Sequence, residues 1–399
     1  MALSCYGYDI QVSEPEQPAD IPVAVKAIIK QEPRRISTRT ANGTETLATL
    51  RSSTHKGFGV FACYTEMHKY NDSSVHPDFM YNEHVWWDDS RWIYTYIKYW
   101  PNGEGTVTGV TGEIPHYVSF MAYAPYSDND GADIGANPPG YCIYSYSAQH
   151  ELGNPWLTYR LIPQEFLAQQ VDLLYADPLL DQYKPNDPVG DSLLFEFRHA
   201  LACVGDKATI LCSKSLKNRI NASVEDGATV EVKLTAFTIT YRLTEKGRLI
   251  LWNGGNDAPA NWQVIYSESA MTERTVDMLE GMTPEQKLVY DSANPDHTSL
   301  NITDRGVFYI PIEFKGYEQT AEIRITYQVW KTYNGESIMM DEEHESVTTI
   351  QMSDYPTAYT SGKELNFNIA LGGMSPEIVC AIEPWRDGGY SDVTAGQDD

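Results

Sequence analysis

Residues 228–243 read ATVEVKLTAFTITYRL. Val230, Val232, Leu234 and Ala236 alternate with Glu231, Lys233 and Thr235. A period of two sends successive side chains to opposite faces of a strand, and apolar-in, polar-out alternation suits an antiparallel sheet with one wet face. The same kind of segment recurs on both sides. Downstream lie RLILW (248–252), GVFYIPIEF (306–314), AEIRITYQVW (321–330), ELNFNIALGG (364–373) and EIVCAIEPW (377–385), and upstream SLLFEFRHALACV (192–204). The first half offers GFGVFACYT (57–65), HVWWDD (84–89), HYVSFMAYAPY (116–126), YCIYSYS (141–147) and WLTYRLI (156–162). Many short strands without a strand–helix–strand rhythm predict an all-β chain of antiparallel sandwiches, two of them in tandem. Helical signals are few: PQEFLAQQVDLLYA (163–176) suits one or two turns, and MTERTVDMLEGMTPEQKLVY (271–290) a short helix.

The length of 399 residues fits about two domains, and 42% hydrophobic with 21% charged residues is ordinary globular composition. Residues 1–20 read as a flexible leader, polar and acidic with two prolines between 15 and 18. The first sandwich is expected over 21–188 and the second over 189–385, with the boundary in the acidic, proline-rich DPLLDQYKPNDPVGD (177–191). The Gly-rich acidic tail 386–399 is expected to be mobile.

With 29 basic and 55 acidic residues the net charge is −26. Such a surface repels phosphate backbones and anionic lipid heads, so nucleic acid is excluded as a partner. The one dense acidic run, DEEHE (341–345), reads as a solvated turn. No apolar run reaches the ~20 residues of a membrane span. The six cysteines (5, 63, 142, 203, 212, 380) form no CxxC and no zinc spacing. Cys203 and Cys212 read as two buried thiols, or as neighbours across a hairpin. In MALSC, the Ser-Cys pair looks like the end of a lipoprotein signal, which would make Cys5 the acylated residue; an ordinary cysteine is the equal alternative.

Catalytic arrangements are missing. His150-Glu151 begins like a zincin helix, but Gly153 and Asn154 follow where the second His should come. There is no GxSxG and no P-loop. DNDGADIGAN (128–137) alternates oxygen ligands without the closing bidentate Glu of a calcium loop. His199, amid apolar neighbours, reads as a satisfied core residue. The chain is therefore expected to be no enzyme, with no catalytic residues, metal or cofactor.

Two stretches remain as candidate sites. IPVAVKAIIK (21–30) puts Ile21, Val23, Val25, Ala27 and Ile29 on one side of a strand. The polar stretch after it carries Arg34, Arg35, Arg39 and Arg51, open to a trypsin-like protease. RWIYTYIKYWPNG (91–103) puts Trp92, Tyr94, Tyr96 and Trp100 on one strand face. These four are either a platform for stacking sugar rings or packing residues. Packing is favoured, because Trp86, Trp87, Tyr117 and Tyr123 supply neighbours on the same sheet.

In order, RTANGTETLATL before GFGVFACYT, YIKYWPNG before VSFMAYAPY, VDLLYAD before LLFEFRHALACV, and the closing GKELNFNIALGG and IVCAIEPW resemble the fimbrillin-like proteins of Bacteroidales, subunits and accessory parts of type V pili. The resemblance covers nearly the whole chain. It implies two tandem transthyretin-like, Greek-key sandwiches, export as a lipoprotein, and assembly with other pilus subunits at the outer membrane. It further implies that a protease cuts after an Arg following the first strand, and that a C-terminal segment of the next subunit fills the vacated groove. By position, 21–30 is the strand removed, with Ile21, Val23, Val25 and Ile29 as its anchors. Arg39 is the matching processing site, with Arg35 and Arg51 as fallbacks. One departure stands out: after Trp385 the chain offers only Tyr390 and Val393, of opposite parity, so a donor would come from the 364–385 hairpin or the chain ends a pilus. The expected role is structural and adhesive, toward a glycan or protein receptor; the alternative is a monomeric surface glycan-binding lipoprotein using exposed aromatics.

Overall fold

A computed structural model describes residues 21–30, 47–52, 57–101, 104–107, 110–113, 115–128, 142–184, 192–222, 227–252, 254, 258–265, 270–294, 296–313, 316, 318–340, 344–372 and 377–384. These residues are overwhelmingly strand, arranged in five sheets. An eight-stranded sheet runs in the order Val25–Ile29, Leu193–His199, Leu174–Ala176, Tyr117–Ala124, Phe58–Glu66, Met80–Trp87 and Trp92–Tyr94, and Leu179–Gln182 also pairs with Tyr117–Ala124. Both of its faces are covered. Phe58, Val60, Phe120, Phe195 and Phe197 point into one core, while Phe61, Met121, Tyr123 and Tyr175 point into another. Double coverage explains why GFGVFACYT and VSFMAYA are continuously apolar rather than alternating.

The second core is shared by three further sheets. One joins Ile143–Tyr146, Trp156–Arg160, Lys246–Ile250 and Asn261–Gln263. A five-stranded sheet holds Ser299–Thr303, Ala202–Cys212, Lys363–Leu371 and Glu377–Pro384, with Val307–Tyr309 also against Ala202–Cys212. A six-stranded sheet centres on Thr229–Thr244 and Thr320–Tyr333. A small hairpin, Glu104–Val107 with Val110–Glu113, completes the set.

The alternation in 228–243 changes parity midway. Val230, Val232 and Leu234 are buried as expected, but Ala236 is exposed and Phe237, Ile239, Tyr241 and Leu243 are buried instead. The register against Thr320–Tyr333 shifts between Leu234 and Ala236. This β-bulge adds one residue and swaps the inward side, so one long strand keeps its apolar residues in the core along its whole length.

Among the described residues, two pairings are parallel rather than antiparallel: Val25–Ile29 with Leu193–His199, and Ala202–Cys212 with Lys363–Leu371. The first joins segments about 170 residues apart and the second about 160, and local patterning carries no trace of such a partner. The expected boundary near residue 189 falls between strands of one sheet, because Leu193–His199 lies beside the first strand. Lys246–Ile250 likewise crosses to pair with Trp156–Arg160. The chain thus passes between its two halves more than once.

Helices are short. Gln164–Gln169 is a 3-10 turn, and the polar 271–290 stretch is a strand, Met271–Asp277, followed by the 3-10 turn Pro284–Lys287. Lys214–Ala222 is an α-helix with no counterpart in the sequence reading. Its signals were local: the Leu216 N–H donates to Ser213 Oγ at 3.2 Å, and Leu216 and Ile220, four apart, form its buried side. Cys203 and Cys212 sit on the same strand as free buried thiols, so no hairpin brings them together.

Candidate functional site

The first segment closes a seam. On one side, Val25–Ile29 pairs with Leu193 to Phe197, and the Leu193 N–H donates to the Ala24 carbonyl at 2.8 Å. On the other, the Val23 N–H donates to the Lys98 carbonyl at 2.8 Å, the Trp100 N–H donates to the Ile21 carbonyl at 2.9 Å, and Pro22 bridges Tyr99. Residues 98–100 follow Trp92–Tyr94, the strand at the far end of the same sheet. A nine-residue segment therefore joins both ends of one sheet and caps the core between them.

Its alternation is carried into burial. Val23 is 2% exposed, Val25 7% and Ala27 5%, while Ile28 stands 39% exposed on the outer side. Ile21 and Ile29 are half-buried against the same core. That core contains Leu50 and a group of rings. Phe58 meets Trp92 at 5.0 Å, Phe197 at 5.2 Å and Phe195 at 5.7 Å between centroids, and Trp100 meets Phe120 at 5.9 Å. Two fully and two partly buried anchors contribute roughly 4–8 kcal/mol of gross hydrophobic stabilisation.

Tyr94 latches the segment from below. Its hydroxyl donates to the Val23 carbonyl at 2.8 Å and accepts the Lys98 N–H at 3.3 Å. Burial pushes this phenol up to about 12, so it stays a donor at physiological pH. Tyr94→Phe is expected to lower stability by about 1 kcal/mol, read as a shift in urea midpoint without a change in slope.

The proposed aromatic face is not assembled. Trp92 is 7% exposed and Trp100 5%, and Tyr94 is half-buried; of the four, only Tyr96 stands out, at 74%. The stretch is also not one strand. Regular pairing ends at Tyr94, and the chain bends through 95–98 before bridging Pro22 at Tyr99. Glu83 fixes this bend by accepting backbone N–H groups of Thr95 and Tyr96 beside Lys98. The bend returns 98–100 to the first segment, and the return buries both tryptophans. They are packing residues.

Of the arginines, Arg39 and Arg35 lie outside the described residues, as does Cys5. Arg51 ends the helix Leu47–Arg51, its guanidinium stacked 4.1 Å over the Trp87 ring and its neighbour Leu50 fully buried. A protease needs an extended, accessible bond, so Arg51 is disfavoured as a cleavage point in the folded chain.

Of the remaining sequence candidates, 129–137 of the DNDGADIGAN stretch lie outside the described residues, and His199 and Glu151 are held in local contacts. His199 Nδ1 pairs with Asp172 Oδ2 at 2.6 Å in the interior, a satisfied core contact. Glu151 accepts from the Trp156 indole at 3.0 Å and from the Ala148 N–H at 3.1 Å, stapling a loop. Among the described residues, no three His, Cys, Asp or Glu side chains are grouped to hold a metal ion, and no helix is long and apolar enough to cross a membrane.

No family model matches the chain. It is similar to the fimbrium subunit Fim1C of Phocaeicola vulgatus, at 21% identity over 370 residues, covering 88% of this chain and 87% of that one. Its fold is similar to that of a crystallised fimbrial protein from Bacteroides vulgatus, with a TM-score of 0.63 and 18% identity over 92% of this chain and 99% of the other. The resemblance to fimbrillin-like proteins of Bacteroidales thus extends over almost the whole chain, in sequence toward a fimbrium subunit and in fold toward a fimbrial protein.

Proposed function

We propose that this chain is a structural, adhesive component of a cell-surface fimbrium, and that it joins its neighbours by strand exchange once its first segment is cut free. The protein is structural and non-enzymatic, as the fimbrium subunit similar to it suggests. The observation that carries the exchange is the seam: segment 21–29 supplies both the backbone pairing and the apolar cap for two ends of one sheet. Its departure leaves unpaired donors and acceptors beside an aromatic-lined slot, a template for another chain's strand. Such head-to-tail contacts do not close and so generate filaments. The donor in this reading comes from the hairpin Lys363–Leu371 with Glu377–Pro384, whose outer strand ends its sheet. Two transthyretin-like sandwiches in tandem, acylation at Cys5 before processing, outer-membrane assembly and a glycan or protein receptor complete the proposal. The alternative, a monomeric glycan binder using exposed aromatics, loses its main support with the burial of Trp92 and Trp100.

Limited trypsin digestion tests this. The expected result is one early cut after Arg39, followed by linear oligomers on sizing. A cut chain that keeps its first segment and remains monomeric at high concentration contradicts it.

A further inference from the structure

We infer that the side chains of Lys207 and Asn366 become joined by an amide crosslink that the fold itself forms. This bond does not depend on the strand-exchange reading. The two residues sit on the parallel strands Ala202–Cys212 and Lys363–Leu371, where Ala208 pairs with Phe367. Ala208 and Phe367 are buried in the shared core, so Lys207 and Asn366, one position earlier on each strand, lie side by side on the opposite face. Glu364, two residues before Asn366, shares that face.

One carboxylate oxygen gathers the reacting groups. Lys207 Nζ donates to Glu364 Oε2 at 3.4 Å, and Asn366 Nδ2 donates to the same oxygen at 3.4 Å. Amine and amide are therefore no farther apart than twice that distance. The register shift between Val204 and Ala208 takes the Lys207 backbone N–H out of the ladder, and it donates instead to Asn366 Oδ1 at 3.0 Å. Both ends of the Asn366 amide are thus held. The site is also dry: Glu364 is 2% exposed, Asn366 6% and the Lys207 side chain 25%.

Acyl transfer needs a nucleophile, an acyl carbon, a group that moves protons, and a donor for the oxygen that takes up negative charge. Lys207 Nζ is the nucleophile, Asn366 Cγ the acyl carbon, Glu364 the proton carrier, and the Lys207 backbone N–H the donor to Oδ1. The flexible lysine stem turns Nζ from the carboxylate onto Cγ. The Nζ–Cγ bond forms and the Cγ–Nδ2 bond breaks. Nζ sheds two protons to Glu364; one passes on to Nδ2, which leaves as ammonia, and the other stays on the carboxyl. No oxidant, reductant or cofactor enters the balance. Lys207 and Glu364 both end neutral, so the neighbouring Asp206 loses one charge of each sign from its surroundings. The bond closes a loop of about 160 residues, a constraint that stabilises chiefly by restricting the unfolded chain. It fixes Lys363–Leu371 and leaves the outer strand of that hairpin, Glu377–Pro384, without a crosslink.

The test is the intact mass of the full chain, with tandem mass spectrometry of its digest. The folded chain is expected to be lighter than its sequence by one ammonia, and the digest to contain a branched peptide joining Lys207 to Asn366. Lys207→Arg and Glu364→Gln should each restore the full mass. Lys207→Arg keeps a cation beside Glu364 while removing the amine that attacks, so it separates loss of the reaction from loss of the fold. Lys217→Arg, on the neighbouring helix, should leave the ammonia loss in place. A folded chain of full mass overturns the inference, as does a loss that survives Lys207→Arg. So does an ammonia loss that maps to an Asn-Gly pair such as Asn334-Gly335, where a succinimide would account for it.

Discussion

Replacing Val23 by Asp is expected to unseat the first segment. Val23 is 2% exposed and shares its core with Trp92, Trp100 and Phe58, so the new carboxylate enters an apolar interior. Burying an unpaired charge there costs roughly 3–5 kcal/mol, or the segment swings out to avoid it. Either outcome reports on the seam. The backbone pairs from Val23 to Lys98 and from Trp100 to Ile21 are lost together, so amide exchange should rise at those N–H groups first. Trp92 and Trp100 lose their cover, and tryptophan emission should shift to the red. Val23→Ala removes methyl groups without adding charge, and should cost only about 1–2 kcal/mol with the segment in place. The contrast between the two variants separates loss of packing from ejection.

The second large effect concerns a buried acid far from the seam. Asp206 is 1% exposed, on a strand whose register against Lys363–Leu371 shifts between Val204 and Ala208. Gly205, at φ +74°, forms part of this bulge, and a Cβ there would stand 2.0 Å from the Tyr241 hydroxyl. The bulge keeps Asp206 inside, with Oδ1 lacking a hydrogen-bond partner. Burial first, then the charge of Glu364, pushes its carboxyl up to about 7, against an opposing pull from Lys207 and a hydrogen bond from the Gly306 N–H. Between about pH 4 and pH 7 the folded chain therefore holds a proton that the unfolded chain has released, and stability from this group falls as pH rises through that window. Above about pH 7 the folded chain carries the full penalty of a buried charge. Asp206→Asn removes that penalty, so it should stabilise the chain at pH 8 by on the order of 2–4 kcal/mol and by almost nothing near pH 4. Urea unfolding at the two values, compared with the parent, checks the sign and the window.

The first segment was legible because nothing interrupts it. Five alternating apolar residues from Ile21 to Ile29 specify which side faces in, and Val23, Val25 and Ala27 are buried on that side. The partners were not legible. Leu193–His199 runs parallel to it from about 170 positions away, and residues 98–100 reach it only after a bend. That bend is fixed by Glu83, a residue of a neighbouring strand, so RWIYTYIKYW reads as one strand when seen alone. Strand 228–243 shows the same limit in miniature. Its pattern marks both halves as strand, but the bulge between Leu234 and Ala236 becomes visible only once Phe237, Ile239, Tyr241 and Leu243 are seen to keep the opposite parity. The four-stranded sheet is assembled from strands within residues 143–160 and 246–263, which no local reading brings together.

The central claim is that segment 21–29 is a removable cap over a slot that accepts a replacement strand. The direct measurement uses chain cut between residues 30 and 47, freed of its first segment under mild denaturant, and titrated with the synthetic peptide IPVAVKAIIK. Saturable rebinding that restores tryptophan burial is expected, with the peptide carrying Asp in place of Val23 unable to compete. A cut chain that unfolds irreversibly when the segment leaves, or that takes up both peptides equally, contradicts it.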